Sequence, residues 1–308
     1  MIELAVESLK RQKLPDAGRL YMIATPLGNL EDLSPRARSV LSELDLLLAE
    51  DTRRARTLVS ALGLKTPPRI ERLDAHAERR DLEPILDAIT SGARAALVTD
   101  AGTPGVSDPG SKLVAAAHAR GIRVEPIPGP SALTAFLSVA GFSGAAFVFR
   151  GFFPRKKGDR ERELRAWLEA SPFCGSAVWF ESPERVLSTF EDLLAVLPPA
   201  QEICAAKELT KTFERVWRGK ASELLPELIS ELTTDPALQR GEWVFGLEEN
   251  QGIPADLSEK GDWRTEARER ASQGEKAAHI ARDLSQRFGV DRAEVYAEAT
   301  RTRESRRK

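Results

Sequence analysis

Short apolar runs alternate with helix-like segments through the first half of the chain, and this alternation constrains the fold more than any other feature. Residues 20–24, 46–49 and 95–99 are strand-like, and a segment with helical spacing follows each of them. Such alternation is typical of a mostly parallel sheet covered by helices on both faces. The sequence therefore predicts an α/β domain over residues 19–141.

The second half of the chain has a different pattern. Strand-like runs, several of them rich in aromatic and β-branched residues, occur at 147–149, 177–180, 203–206, 213–217 and 243–247. These runs favour a mixed sheet, and we predict a second α/β domain over residues 142–250. The predicted fold class is α/β, with two such domains.

The two ends of the chain differ from this body. We predict that residues 1–18 form a flexible leader and residues 251–262 a linker. Beyond the linker, residues 263–308 contain two short helical patterns on either side of Gly289 and Val290. This helical segment is compatible with a helix-turn-helix hairpin, and equally with a helical cap that has no nucleic-acid role.

Composition excludes several classes of protein. The 308 residues are 42% hydrophobic, which is enough for a substantial core, and they carry a net charge of -2. Two cysteines are too few for a disulfide framework, and no Cys/His spacing resembles a metal site. We therefore predict a cytoplasmic protein without a metal. Local positive excesses at residues 150–165 and 264–308 are compatible with RNA binding, or with solvated helix faces.

One polar loop, residues 100–110, lies where a buried strand should pass into a helix. Ligand sites of open α/β sheets form at such points. Asp108 and Pro109 predict the N-cap and first position of the next helix. Gly105 and Gly110 have the spacing of a phosphate-binding P-loop, but Lys112 comes one residue too late for that motif, and no G-x-G-x-x-G follows the first strand.

Four polar segments follow predicted strands in this half: residues 25–30, 50–53, 100–110 and 128–132. Because the carboxyl ends of parallel strands meet at one edge of a sheet, these segments are expected to line a single crevice.

Several short strings of the sequence closely resemble one family of enzymes. They are TPLGNL at 25–30, AEDTR at 49–53, DAGTPG at 100–105, DPG at 108–110, PGPSA at 128–132, FESP at 180–183, KELTK at 207–211 and GE at 241–242. In this order they resemble the tetrapyrrole methylase superfamily, specifically its branch of small-subunit ribosomal RNA cytidine 2'-O-methyltransferases. The chain differs from that pattern at Phe180, where tyrosine is frequent, and at Lys207, where arginine is frequent.

The resemblance implies a fold, a cofactor and a substrate. It implies two α/β domains with S-adenosylmethionine bound in the cleft between them, methylation of a cytidine ribose in the decoding region of 16S ribosomal RNA, and a homodimer. The residues that it implies for cofactor binding are Pro26, Asp100, Ala101, Gly102, Thr103, Ser107, Ser131, Ala132, Phe180, Leu209, Gly241 and Glu242.

Methyl transfer to a ribose hydroxyl requires a proton acceptor. The candidates in the matching segments are Asp51, Glu181, Lys207 and Lys211, although each is equally compatible with a structural ion pair. For RNA we predict a basic rim, with Lys156 and Lys157 on a mobile loop beside Gly158. The members of the predicted rim are Arg53, Arg54, Arg56, Arg155, Lys156, Lys157 and Arg160.

Two alternatives remain open from the sequence. A related C-methyltransferase acting on a tetrapyrrole precursor would also favour arginines at the cleft. A catalytically silent RNA-binding factor in ribosome assembly could retain the same cofactor cleft.

Overall fold

The structure is a computed structural model that describes residues 18–64, 67–74, 77, 82–144, 146–249, 263–288 and 291–305. The predicted leader, apart from Gly18, and the predicted linker lie outside these described residues. The chain divides into two compact units, residues 1–249 and 250–308.

The first sheet is wholly parallel, as its strand and helix alternation predicts, and its strands lie in the order β3-β2-β4-β1-β5. Its elements are β1 (Arg19–Ile23), α1 (Pro35–Leu41), β2 (Leu46–Ala49), α2 (Thr52–Ala61), β3 (Arg69–Arg72), α3 (Glu83–Thr90), β4 (Arg94–Val98), α4 (Ser111–Ala119), β5 (Arg123–Ile127) and α5 (Ala132–Ala140). Successive residues of its central strands pack into separate cores on the two faces: Leu47 and Ala96 on one face, Leu48 and Leu97 on the other. Because all five strands are parallel, the loops that follow β1, β2, β4 and β5 lie at the same edge of the sheet.

The second sheet is mixed, as the sequence predicts, with the order β6-β7-β10-β8-β9 and a single parallel pair, β6 with β7. Its elements are β6 (Phe147–Phe152), α6 (Lys157–Cys174), β7 (Ser176–Glu181), α7 (Val186–Val196), β8 (Glu202–Lys207), β9 (Arg215–Lys220), α8 (Ala221–Thr234) and β10 (Trp243–Leu247). Helices α6, α7 and α8 cover one face, where Trp179 and Phe245 stack with their ring centroids 5.4 Å apart. Helix α5 covers the other face through Phe136 and Ala140. Both sheets belong to the unit 1–249, so the boundary near residue 142 stays a prediction.

Two local predictions at the starts of helices differ from the structure. Helix α4 begins at Ser111 with Gly110 as its N-cap, so Asp108 does not cap it. Helix α6 begins at Lys157, so Lys157 and Gly158 lie in a helix and not in the predicted loop.

The unit 250–308 contains three described helices, α9 (Trp263–Ser272), α10 (Ala277–Phe288) and α11 (Arg292–Ser305). Their common core is built largely from small residues, with Ile280, Leu284 and Val295 as its largest side chains. The sequence predicts only the second and third helices. Helix α9 was missed because its buried side chains, Ala267 and Ala271, give it almost no apolar periodicity.

Candidate functional site

A cavity lies where the loops of the first sheet meet the strand ends of the second sheet. Seven of the twelve predicted cofactor residues line it, together with the predicted proton acceptor Glu181 and six residues that were not predicted as site residues. The lining residues are Leu27, Asp100, Ala101, Val106, Ser107, Asp108, Ala132, Phe152, Phe180, Glu181, Leu209, Glu242, Trp243 and Val244.

Backbone hydrogen bonds hold the loops around this cavity together. The Thr25 N–H donates to the Gly102 carbonyl oxygen at 2.9 Å, and the Gly102 N–H donates to the Thr25 carbonyl oxygen at 3.0 Å. The Thr103 hydroxyl donates to the Pro130 carbonyl oxygen at 3.0 Å. Gly102 has a φ of +84°, a conformation that L side chains rarely adopt. Three of the four predicted segments are thus joined to one another.

The remaining predicted cofactor residues lie next to the cavity and do not line it. Ser131 is the N-cap residue of α5, and Pro26 lines a neighbouring groove. Gly241 has a φ of +87°, and a Cβ there would lie 2.6 Å from the Glu208 side chain. A side chain at this position would be strained by the backbone conformation and would displace the Glu208 side chain.

The cavity carries an excess of negative charge. Burial, together with the charges of Glu50, Asp100 and Glu242, raises the pKa of Asp108 to about 7. Burial and the charge of Asp100 also raise the pKa of Glu50. Asp100 Oδ1 accepts a hydrogen bond from the Asp51 N–H at 3.2 Å, and its Oδ2 lies 3.4 Å from Arg54 Nε. Because these carboxylates repel one another, the site favours a cationic ligand.

Asp108 is the acidic residue that the sequence analysis missed. Asp-Pro before a helical pattern predicts a capping role, and that interpretation is wrong because Gly110 occupies the cap position. Its position in the same glycine-rich loop as Asp100 and Ser107 could have indicated a role in the site.

The structure pairs three of the four predicted proton acceptors with other groups. Asp51 caps α2, where its Oδ1 accepts from the Arg53 N–H at 2.7 Å, and hydrogen bonds from Arg53 lower its pKa. Glu181 is buried, accepts from the Thr189 hydroxyl at 2.6 Å and forms an ion pair with Arg185.

The two lysines lie near the end of β8. Lys207 is buried and opposite Trp243 in the sheet register. Lys211 Nζ lies 2.8 Å from Glu208 Oε1 and 3.2 Å from Glu242 Oε2. Burial alone would lower the pKa of Lys211, but the hydrogen bonds and charges of these two carboxylates outweigh it and raise the pKa.

The segment 207–211 also bridges the two halves of the site. A Cβ on Gly28 would lie 2.0 Å from Lys211 Cγ, so the lysine side chain packs directly on the backbone of the loop after β1. Glu208 and Thr210 have φ values of 54° and 66°, which are uncommon for residues with a side chain. Thr210 Oγ1 and the cavity residue Trp243 Nε1 are buried and find no hydrogen-bond partner among the described residues.

A larger groove of about 630 Å³ adjoins the cavity and shares Asp100 with it. Its lining includes Pro26, Leu30, Arg53 and Arg54. Arg53 is paired with Asp51 and is 86% exposed.

The predicted RNA-binding residues separate into two groups. Arg53, Arg54, Arg56, Arg155, Lys156 and Lys157 are exposed. Arg160 is buried, with Nε donating to Asp192 Oδ2 at 2.7 Å, so its guanidinium is unavailable to a phosphate. Its assignment to an exposed rim was wrong, because the sequence did not reveal its partner 32 residues away.

Two further properties concern the described part of the chain. It contains no group of three or more His, Cys, Asp or Glu side chains arranged to hold a metal ion. None of its helices is both long and apolar enough to cross a membrane.

Comparison with known proteins identifies the family. Residues 19–225 match the family described as Tetrapyrrole (Corrin/Porphyrin) Methylases. Ribosomal RNA small subunit methyltransferase I of Thermotoga maritima is 41% identical over 68% of this chain and 90% of its own length. The protein of the same name from Escherichia coli O157:H7 is 38% identical over 78% of this chain and 82% of its own.

Solved structures show the same fold at lower identity. The methyltransferase CobJ superposes with a TM-score of 0.53 and 17% identity, covering 75% of this chain and 94% of its own. Uroporphyrin-III C-methyltransferase from Thermus thermophilus, complexed with S-adenyl homocysteine, superposes with a TM-score of 0.50 and 21% identity, covering 75% and 98%. By its sequence match and its close relatives, the chain belongs to the tetrapyrrole methylase family and, within it, to the ribosomal RNA small subunit methyltransferase I group.

Proposed function

We propose that this protein transfers a methyl group from S-adenosylmethionine to the 2'-hydroxyl of a cytidine ribose in the decoding region of 16S ribosomal RNA. The observation that carries the proposal is the acid-lined cavity, most of whose lining residues lie within the range 19–225 that matches the family. Relatives with 38 to 41% identity are named for ribosomal RNA, whereas the structurally similar tetrapyrrole enzymes share only 17 to 21%. This difference favours RNA over a tetrapyrrole as the substrate.

The cavity fits S-adenosylmethionine by its chemistry. Asp100, Asp108 and Glu242 would attract the sulfonium and ammonium groups of the cofactor, since oppositely charged partners stabilise each other at close range. Phe180, Leu209 and Ala132 offer apolar contact, and Trp243 Nε1 offers an unused hydrogen-bond donor. When bound, the cofactor supplies an electrophilic methyl group on sulfur. We propose that all twelve predicted cofactor residues form the binding site for S-adenosylmethionine.

For the proton of the ribose hydroxyl we propose Asp108 Oδ as the acceptor. The carboxylate lines the cavity, and a pKa of about 7 matches proton acceptance near neutral pH. Asp51, Glu181, Lys207 and Lys211 then act as positioning residues. Lys211 in particular holds Glu242 and covers Gly28, so it shapes the entrance of the cavity.

RNA binding is assigned to the exposed basic side chains on both sides of the cavity. Arg53, Arg54 and Arg56 lie on α2, while Arg155 and Lys156 immediately precede α6 and Lys157 is its first residue. Side chains of this kind bind phosphates without reading sequence. The target nucleotide must leave its stack, because the 2'-hydroxyl has to reach the methyl group.

The substrate also suggests where the protein acts and with which partners. A small ribosomal subunit is a cytoplasmic substrate, and we propose the cytoplasm as the location. A homodimer is proposed because symmetric pairs are the commonest soluble oligomers. Sedimentation of the purified protein tests it: a monomer at micromolar concentration would contradict this part of the proposal.

Transfer of tritium from labelled S-adenosylmethionine tests the reaction. Isolated small subunits, naked 16S RNA and a tetrapyrrole precursor are offered in parallel. We expect label in RNA, in a nucleotide whose 3' linkage resists alkali because the 2'-oxygen is methylated. Label in the tetrapyrrole would favour a C-methyltransferase instead. Cofactor binding without label in any substrate would favour a catalytically silent RNA-binding factor.

A further inference from the structure

We propose that Phe152 is the surface on which the base of the methylated nucleotide stacks. The inference rests on the proposed function, because it names the residue that positions RNA at that same site. It is carried by a defect in the second sheet that turns this phenylalanine toward the cavity.

The defect is a β-bulge in the edge strand β6. Phe149 pairs with Val178 and Phe152 pairs with Phe180, so three steps along β6 match two steps along β7. Side chains alternate between faces along a strand, and an unbulged strand would place Gly151 opposite Phe180 and turn Phe152 to the other face. The extra residue therefore puts Phe152 on the same side of the sheet as Phe180.

The bulge lies directly against the loop that contains Asp108. Gly151 has a φ of +74°, and a Cβ there would lie 3.4 Å from Ser107 Oγ. Phe152 lines the cavity together with Ser107 and Asp108. The Phe152 side chain and the group that we propose as the proton acceptor thus line the same cavity.

Phe152 is both exposed and supported. Its side chain is 57% exposed, although phenylalanine is normally buried. Its ring packs edge-to-face on Phe180, with centroids 5.8 Å apart, and Phe180 packs in the same way on Phe149 at 4.8 Å. The Phe152 ring is therefore supported by an aromatic neighbour and still largely accessible to a planar partner.

The surroundings favour a nucleotide as that partner. Phe152 also lines a groove of about 680 Å³ together with Arg155, Glu184 and Arg185, of which Arg185 is paired with Glu181. Arg155 is exposed, and Lys156 follows it. An aromatic platform beside cationic side chains is the combination with which proteins hold unstacked bases and their phosphates.

Substitution of Phe152 tests the proposal by steady-state methylation of isolated small subunits. Loss of one base–aromatic stack corresponds to about 5- to 150-fold. We expect Phe152→Ala and Phe152→Leu to lower kcat/KM for the subunits by that factor, while Phe152→Tyr, which keeps the ring, stays close to the parent. The matched control is Phe147→Ala, which removes a 48% exposed phenylalanine from the same strand and from neither lining.

Cofactor affinity, measured by calorimetry, separates stacking from a cofactor contact. The stacking role is wrong if Phe152→Leu has the same kcat/KM as the parent. It is also wrong if weaker cofactor binding accounts for the whole decrease in kcat/KM of this variant.

A binding measurement distinguishes failure of this inference from failure of the proposed reaction. We expect the added tryptophan emission of Phe152→Trp, but not of Phe147→Trp, to be quenched by single-stranded RNA. Quenching by RNA in a protein that transfers no methyl group would overturn the reaction and support the stacking surface. An active enzyme without quenching would overturn the stacking surface alone.

Discussion

At the scale of single residues, the site depends on a carboxylate in an unfavourable environment. Asp108 is partly buried among Glu50, Asp100 and Glu242, and its pKa is raised to about 7 by burial and by those charges. A buried acid with a raised pKa destabilises the fold once it ionises. Such groups are frequent at functional sites, where the arrangement serves a ligand or a proton transfer.

Replacing this carboxylate should change how stability depends on pH. The unfolded chain loses the Asp108 proton near pH 4 and the folded chain near pH 7, so the folded state binds more protons between these values and its stability falls as the pH rises. Asp108→Asn does not titrate. We expect its stability relative to the parent to increase between pH 5 and pH 8 by on the order of 1 kcal/mol, less than the full shift would give because solvent screens the partly exposed carboxylate; urea denaturation measures it. A constant difference across that range would show that Asp108 ionises normally.

Gly102 offers a second test at this scale. A side chain at φ +84° is strained, and a Cβ would lie 3.3 Å from Leu27 Cδ2 at the cavity. We expect Gly102→Val to abolish binding of S-adenosylmethionine in calorimetric titration while the protein stays folded. Gly105→Val is the matched control, because Gly105 has φ +85° with nothing within 4 Å of its added Cβ. Equal affinities for the two variants would contradict the role of Gly102.

At the scale of elements, the start of α6 combines a buried ion pair with an exposed basic segment. Arg160 and Asp192 join α6 to α7 and are both nearly buried, whereas Arg155 and Lys156 just before the helix face solvent. Arg160 therefore contributes to stability, whereas Arg155 and Lys156 are available for binding.

Removing one partner of the buried pair should be costly. Asp192→Ala leaves the Arg160 guanidinium buried without its carboxylate, and we expect a loss of about 3–5 kcal/mol in the free energy of unfolding. The control Asp159→Ala breaks only the solvent-exposed pair with Arg162 and should cost less than about 1 kcal/mol. Similar losses for both variants, in urea denaturation, would mean that the Asp192 pair is not buried in solution.

Neutralising Arg155, Lys156 and Lys157 to glutamine should weaken RNA binding and reduce its salt dependence. Each lost phosphate contact lowers the slope of log affinity against log salt by roughly 1. Lys157 Nζ lies 3.6 Å from Asp192 Oδ1, so its share should be the smallest. The control Arg162→Gln with Arg165→Gln removes exposed charges farther along α6. If the control reduces the slope as much as the triple variant does, the effect is one of net charge and not of this segment.

At the scale of the whole molecule, we expect the protein to bind S-adenosylmethionine without a metal ion. The cavity presents loops and carboxylates that would meet a cationic cofactor directly, and no metal-binding cluster occurs in the residues that the structure describes. We expect the affinity for S-adenosylmethionine to be the same before and after treatment with a chelator. An affinity that disappears with the chelator and returns with a divalent ion would contradict this expectation.

Local patterns in the sequence were sufficient for the two sheets and most of their helices, but not for α9. Apolar runs such as residues 95–99 indicated the central strands, because only a strand covered on both faces can bury every residue of such a run. Glycine- and proline-rich segments after those strands indicated the edge at which the site forms. The family strings added the cofactor and the reaction, since a motif reports a site only in its structural context.

The tertiary structure decided what depends on partners that are distant in the sequence. Arg160 is a structural residue because Asp192 lies beside it, and Asp108 has a raised pKa because folding buries it and brings the charges of Glu50 and Glu242 near it. Phe152 faces that cavity because one extra residue in β6 shifts its register against β7. The sequence by itself determined most of the elements, since periodicity and turn residues act over a few positions. Which side chains meet, and with what charge, was decided by the packing of the two sheets, because burial and electrostatic coupling arise only between groups that folding brings together.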